Sequence, residues 1–171
     1  ISILPISALA LARVHLRAFS RSPRAYVSTL AASMRGAPAG PRSVLWAVFH
    51  FVEGMVLWDH CRRLGIRHLH AHFANVGADV CRVVARYGRA SDGPDQWSWS
   101  FTMHGSTEFY NVRAFDLEGK VDDADGVVCI SDYARSQVLM HGGPGTEDRV
   151  VIVHCGGKRH ENRANSGSRE L

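Results

Sequence analysis

The sequence lacks most of the short motifs that reveal a function at sight. No GxGxxG follows a strand pattern, and there is no GxxxxGK[ST], HExxH or GxSxG anywhere in the chain. Classical dinucleotide binding, P-loop phosphoryl transfer, zincin chemistry and the common serine-hydrolase elbow are therefore without their signatures. The four cysteines, Cys61, Cys81, Cys129 and Cys155, form no CxxC pair, a spacing too open for a zinc site. Three of them sit in apolar or periodic segments and read as reduced, buried thiols. Long apolar runs are missing as well. The longest periodic segment, 44–64, is interrupted by His50, Glu53 and Asp59 and is too short to span a bilayer comfortably. The opening Ile-Ser-Ile-Leu-Pro has no charged region ahead of an apolar one, so it is not a standard signal peptide. It reads as the interior of a longer protein.

What is present is ordinary in bulk. A chain of 171 residues, 46% hydrophobic, is one soluble globular domain by prior and long enough to bury a core. The formal charge of +4 suits an anionic ligand, an anionic membrane surface or nucleic acid. The arginines are spread along the chain rather than gathered in a patch, which makes nucleic acid the weakest of the three, and no nucleic-acid partner is expected. From Gly156 to Leu171 the chain is almost wholly polar, so 157–171 is expected to be a disordered tail.

The order of patterns points to an α/β protein. Segments 6–20 and 24–35 are helix-compatible, with Pro23 suited to a helix start, and Gly36 to Pro41 is a breaker cluster. Val44, Leu45, Val48, Phe49, Val52, Met55 and Val56 follow helical spacing, and Gly65 supplies a stop. A helix packed on a sheet is the plainer reading of this segment, a membrane-surface helix the alternative. Strands are expected at 66–73, 97–102, 126–130 and 149–154, with helices from Asn75 to Arg86 closing near Gly88, at 115–124, and from Ser131 to about Met140. A polar loop is expected over 104–114. Strands alternating with helices mean a parallel sheet with right-handed crossovers, a Rossmann-like fold.

Two groups of residues carry chemistry. His68, His70 and His72 recur at every second position, so a strand turns all three to one face, with Leu69, Ala71 and Phe73 on the other. Three readings are open: metal ligands, with a distant Asp125 as a further candidate; sheet histidines satisfied by neighbouring loops; or, for His72, the lining of a cleft. His104 stands where the buried strand Trp97–Thr102 has just ended, and Gly105 follows it. In an open parallel sheet that is the crevice where ligands bind. There the imidazole can hydrogen-bond a hydroxyl or phosphate, or act as an acid or base near neutral pH.

In sequence order, His70-Ala-His72-Phe73-Ala74, Ser100-Phe-Thr-Met-His104-Gly105, Lys120 ahead of Asp125-Gly-Val-Val-Cys-Ile-Ser131, and Val150-Val-Ile-Val-His154-Cys-Gly156 together resemble the family 4 glycosyltransferases. The similarity covers about residues 45–156 and is nearest to the bacterial branch that makes exopolysaccharides of the colanic-acid type. It implies a GT-B architecture, two Rossmann-like domains across a cleft, of which this would be the amino-terminal, acceptor-side half. The implied boundaries are a partial helical region at 1–41, the glycosyltransferase domain at 42–156 and the tail. The resemblance also implies sugar transfer from a nucleotide-sugar donor to a glycan or lipid-linked acceptor, generally with retention and with no metal or other cofactor. Its location would be the cytoplasm, with peripheral contact at the inner face of the membrane as an alternative. By similarity His104 faces the transferred sugar, and His72, Asn75, Gly105, Ser106 and Ser131 are carried over as substrate-binding positions. The family's donor-site E-x7-E pair does not occur, so the donor domain is expected outside this sequence and the chain is expected to be inactive alone. A noncatalytic Rossmann-like binding module, or a degenerate remnant, is the alternative, with a metal hydrolase as a minor third reading.

Overall fold

The computed structural model describes residues 7–113 and 115–154, apart from the side chains of Ser106 and Thr107. The chain forms helices α1 (Ala8–Arg21), α2 (Pro23–Arg35) and α3 (Pro41–Leu64), then strand β1 (His68–Ala71) and helix α4 (Val76–Asp92). Strand β2 (Ser98–Met103), the short helices α5 (Ser106–Tyr110) and α6 (Leu117–Asp123), strand β3 (Gly126–Cys129) and helix α7 (Asp132–His141) follow. A 3-10 turn over Thr146–Arg149 leads into β4 (Val150–Ile152). The four strands make one sheet in the order β1-β2-β3-β4, and every pair is parallel. This is the expected α/β, Rossmann-like fold.

Each crossover moves one strand further in the same direction. Right-handed crossovers then bring α4, α6 and α7 to a single face of the sheet, and burial follows that geometry. Leu69, Ala71, Trp99, Phe101, Met103, Val127, Cys129 and Val150 point to the helical side and are buried. On the opposite face His68, His70 and Val151 are exposed. Fully burying a Leu- or Phe-sized side chain stabilises by about 1.5–3 kcal/mol, so the Trp99–Phe101–Met103 column of β2 is the apolar spine of the domain.

Helix α3 departs from expectation in its partner. It packs chiefly on α4, α1 and α2, forming a second helical layer rather than lying on the sheet. Gly54 permits the approach, because a Cβ there would come within 2.5 Å of Val83 Cγ1. Gly65 ends the helix in the left-handed region (φ 74°), with the Ile66 N–H returning to the Cys61 carbonyl at 2.9 Å. Helix α1 is tied down by Tyr87, whose hydroxyl donates to the Ala18 carbonyl at 2.7 Å, and by Arg21, which pairs with Asp92. Cys61, Cys81 and Cys129 are buried free thiols. Among the described residues no helix is long and apolar enough to cross a membrane. The polar tail at 157–171, with Cys155 and Gly156, lies outside the described residues.

Three boundaries differ from the sequence reading. β1, β3 and β4 are shorter than expected, and β2 keeps its expected length but is shifted by one residue, to Ser98–Met103. The segment read as a loop over 104–114 contains α5. Helix α4 runs through Gly88 to Asp92, because Gly88 is a packing position and not a stop: a Cβ there would meet Trp97 Cγ at 2.4 Å. Gly88→Ala gains up to about 1 kcal/mol of helix propensity, yet overpacking against a buried indole costs about 1–3 kcal/mol. The expected outcome is a lower urea midpoint with an unchanged slope; a midpoint at or above that of the natural chain would show that Trp97 can move aside.

Candidate functional site

The outer face of β1 and β2 carries a ladder of imidazoles and hydroxyls. His68 Nδ1 lies 2.8 Å from Ser98 Oγ and its Nε2 3.0 Å from Ser100 Oγ. His70 repeats the pattern, with Nδ1 at 2.7 Å from Ser100 Oγ and Nε2 at 2.9 Å from Thr102 Oγ1. The register explains it: His68 pairs with Ser98 and His70 with Ser100, so each ring sits above two hydroxyls spaced two residues apart. The partners are thus hydroxyls of the adjacent strand, not neighbouring loops. Asp125, the distant acid considered as a metal ligand, is engaged elsewhere: its carboxylate pairs with Arg89 of α4 and accepts from the Trp99 N–H at 2.8 Å. Among the described residues no group of three or more His, Cys, Asp or Glu is arranged to hold a metal ion.

At the carboxyl ends of the strands the pattern changes. His72 Nδ1 and His104 Nε2 are 2.8 Å apart, one imidazole donating to the other. Phe73 does not follow Leu69 and Ala71 into the core, because β1 has ended at Ala71; it is 46% exposed and lies 4.7 Å, ring to ring, from His104. The crest of the sheet is therefore an imidazole pair backed by an exposed phenyl ring. Asn75 is exposed and caps α4, its Oδ1 accepting from the Gly77 N–H at 3.1 Å. Ser131 caps α7, its Oγ accepting from the Ala134 N–H at 3.2 Å. Gly105 precedes α5, and a Cβ there would meet nothing within 4 Å. Ser106 opens α5, and its side chain lies outside the described residues.

Two residues that sequence reasoning did not assign to the site hold it in shape. Glu108 is buried, 5% exposed; its Oε1 accepts from the Ala74 N–H at 2.7 Å and its Oε2 from the Gly105 N–H at 3.4 Å. One carboxylate thus joins the loop after β1 to the loop after β2. Lys120, fully buried on α6, donates to the Ala74 carbonyl at 2.9 Å and pairs with Asp79 at 2.8 Å. Burial pushes the Lys120 pKa down, and the Asp79 carboxylate opposes that shift. The local signal for Glu108 was its place three residues after Gly105, the position from which an acid reaches back to a helix N-cap. Gly105 has no side chain to return the bond, so the usual two-sided motif was not legible. Searches of family models, curated proteins and solved structures found no match to this chain.

The arrangement can hydrogen-bond a polar ligand through the imidazole pair while the Phe73 ring covers an apolar face of it. Two outcomes test the scaffold. Glu108→Ala leaves the Ala74 and Gly105 N–H groups without their acceptor and is expected to destabilise by about 1–3 kcal/mol. Faster amide exchange at both positions, beyond the global loss, is the specific readout. For the ladder, burial first, then the neighbouring His72 and His68, holds the His70 pKa below its ordinary 6.5. The unfolded chain then binds that proton at higher pH than the folded one, so stability present above pH 6.5 is lost as pH falls through the lowered value. His70→Gln should flatten the dependence of the unfolding midpoint on pH below 6.5; an unaltered curve would remove His70 as its source.

Proposed function

We propose that this chain is the acceptor-side half of a glycosyltransferase, one that moves a sugar from a nucleotide-sugar to a glycan or lipid-linked acceptor in exopolysaccharide or cell-envelope synthesis. The observation that supports it most is the convergence of His72 and His104. These residues are 32 positions apart in the chain, and their ring nitrogens lie 2.8 Å from each other at the carboxyl ends of adjacent parallel strands. Both are positions that the resemblance to family 4 glycosyltransferases carries into the sugar cleft, and a strand-end crevice is where open parallel sheets bind ligands.

In the transfer step the acceptor hydroxyl oxygen bonds to the anomeric carbon and the bond to the diphosphate oxygen breaks. The hydroxyl proton leaves with the diphosphate. His104 hydrogen-bonds a hydroxyl of the transferred sugar, and His72 fixes the plane and tautomer of that ring through the shared proton. Gly105 leaves the backbone open to the ligand. Groups that bind the nucleotide belong to the second domain of the architecture. The alternative, a noncatalytic binding module, is favoured by one observation: the side-chain oxygens of Asn75 and Ser131 serve as helix caps, which leaves few groups for a reaction.

Calorimetry with UDP- and GDP-sugars is expected to give weak or no binding to this chain, and tight binding would overturn the half-enzyme reading. With the chain joined to the donor domain of a complete family 4 enzyme, His104→Ala should lower kcat about 30- to 1000-fold, the equivalent of about 2–4 kcal/mol of transition-state stabilisation. The same substitution removes one imidazole hydrogen bond at a half-buried position and should cost no more than about 0.5–1.5 kcal/mol of stability, well short of the loss in turnover. Unchanged turnover in a folded protein would take His104 out of the site.

A further inference from the structure

A concavity lies away from the crest of the sheet. It is a cavity of about 240 Å³ between the α2–α3 loop, α3, α4 and the segment ahead of α6, and none of His72, Asn75, His104 and Ser131 lines it. Trp46 and Phe115 are its aromatic walls, His50, Asp79, Arg82 and Asp116 its polar ones. We propose that this cavity binds one neutral, polyhydroxylated ring, the size of a single monosaccharide unit.

The charges decide against an ionic ligand. Asp116 is held by Arg82, Asp79 by Lys120, and Asp123 just behind the wall by Arg86 at 3.0 Å and Arg82 at 3.6 Å. Three carboxylates are matched by three cations, so the wall carries no surplus charge to select a cation or an anion. Each carboxylate nonetheless keeps lone pairs that its cation does not use, and these accept hydrogen bonds from hydroxyls. Asp79 and Asp116 are about one-third exposed, at 32% and 30%, and lie within reach of a ligand. Asp116 is also the one non-glycine residue with positive φ among the described residues, at 45°, and that turn brings its carboxylate against Gly36 and Gly119.

The aromatic walls supply the rest of the chemistry. Trp46 is 50% exposed on α3, and an indole face matches the C–H face of a pyranose while the ring's hydroxyl rim meets the carboxylates and His50. Pockets that recognise a ligand in this way are mostly apolar, with a few placed polar groups fixing its orientation. Pockets for drug-sized ligands run from roughly 300 to 1,000 Å³, so this one takes a single ring and not an extended chain. The cavity stands on its own residues, independent of the transferase reading.

The test is a ligand-observed NMR titration of the full chain with a panel of methyl glycosides of common hexoses, with choline as the cationic control. Short oligosaccharides are included, to separate a free sugar from the end of a glycan. Binding of at least one glycoside is expected, weakened about tenfold or more by Asp116→Asn, as for loss of a hydrogen bond to a charged group, and by Trp46→Ala, which removes the aromatic face on which the ring stacks. Asparagine tolerates the left-handed conformation, and Trp46 is half exposed, so both variants are expected to fold; far-UV circular dichroism checks this. No glycoside binding at 50 mM (~100 times a weak 0.5 mM Kd), or preference for choline, overturns the proposal. Binding that survives both substitutions but falls with His104→Ala belongs to the sheet crevice and overturns it too.

Discussion

The buried carboxylate of Glu108 is the interaction on which the crest of this sheet depends. A parallel sheet delivers its loops side by side at one end, but nothing in strand pairing fixes how those loops stand to each other once the ladder stops. Glu108 does so by accepting backbone N–H groups from both loops, at Ala74 and Gly105. Lys120 holds the first loop from the helical side, through the Ala74 carbonyl and Asp79. Breaking such a buried polar set is costly, since each orphaned group keeps its desolvation penalty without its bond. His72 and His104 meet because both loops are held from below.

The sheet is asymmetric in what its faces carry. Parallel sheets are ordinarily covered on both sides and read as near-continuous apolar runs. Here β1 and the first four residues of β2 alternate: Leu69, Ala71, Trp99 and Phe101 are buried under the helices, while His68, His70, Ser98 and Ser100 form a hydrogen-bonded polar surface. An imidazole above two hydroxyls satisfies both its nitrogens without help from a loop. That pattern accounts for two of the three strand histidines structurally and leaves His72, beyond the end of the ladder, free to pair with His104.

The α/β class, the four parallel strands and their approximate positions were legible in the residues themselves. Alternation in Trp97–Thr102, the apolar run at 126–130 and the helix starts at Asn75 and Ser131 are local signals, set by side-chain period and by competition for backbone N–H groups. The stop at Gly65 was legible for the same reason. Gly88 was not: a glycine in a helical pattern reads as a terminus unless the side chain that fills its space is known, and Trp97 arrives from the following strand.

The sequence by itself determined the strand–helix order, the burial of the three thiols Cys61, Cys81 and Cys129, and the place of His104 just past a buried strand. Those depend on period and composition, which are properties of neighbouring residues. Tertiary structure alone decided that His104 meets His72, that Glu108 bridges two loops, and that α3 lies on α4 and not on the sheet. It also decided that Trp46, Asp79 and Asp116 share one cavity. Each of these is a contact between segments tens of residues apart, whose distance is set by strand register and helix packing, and no local pattern of residues encodes it.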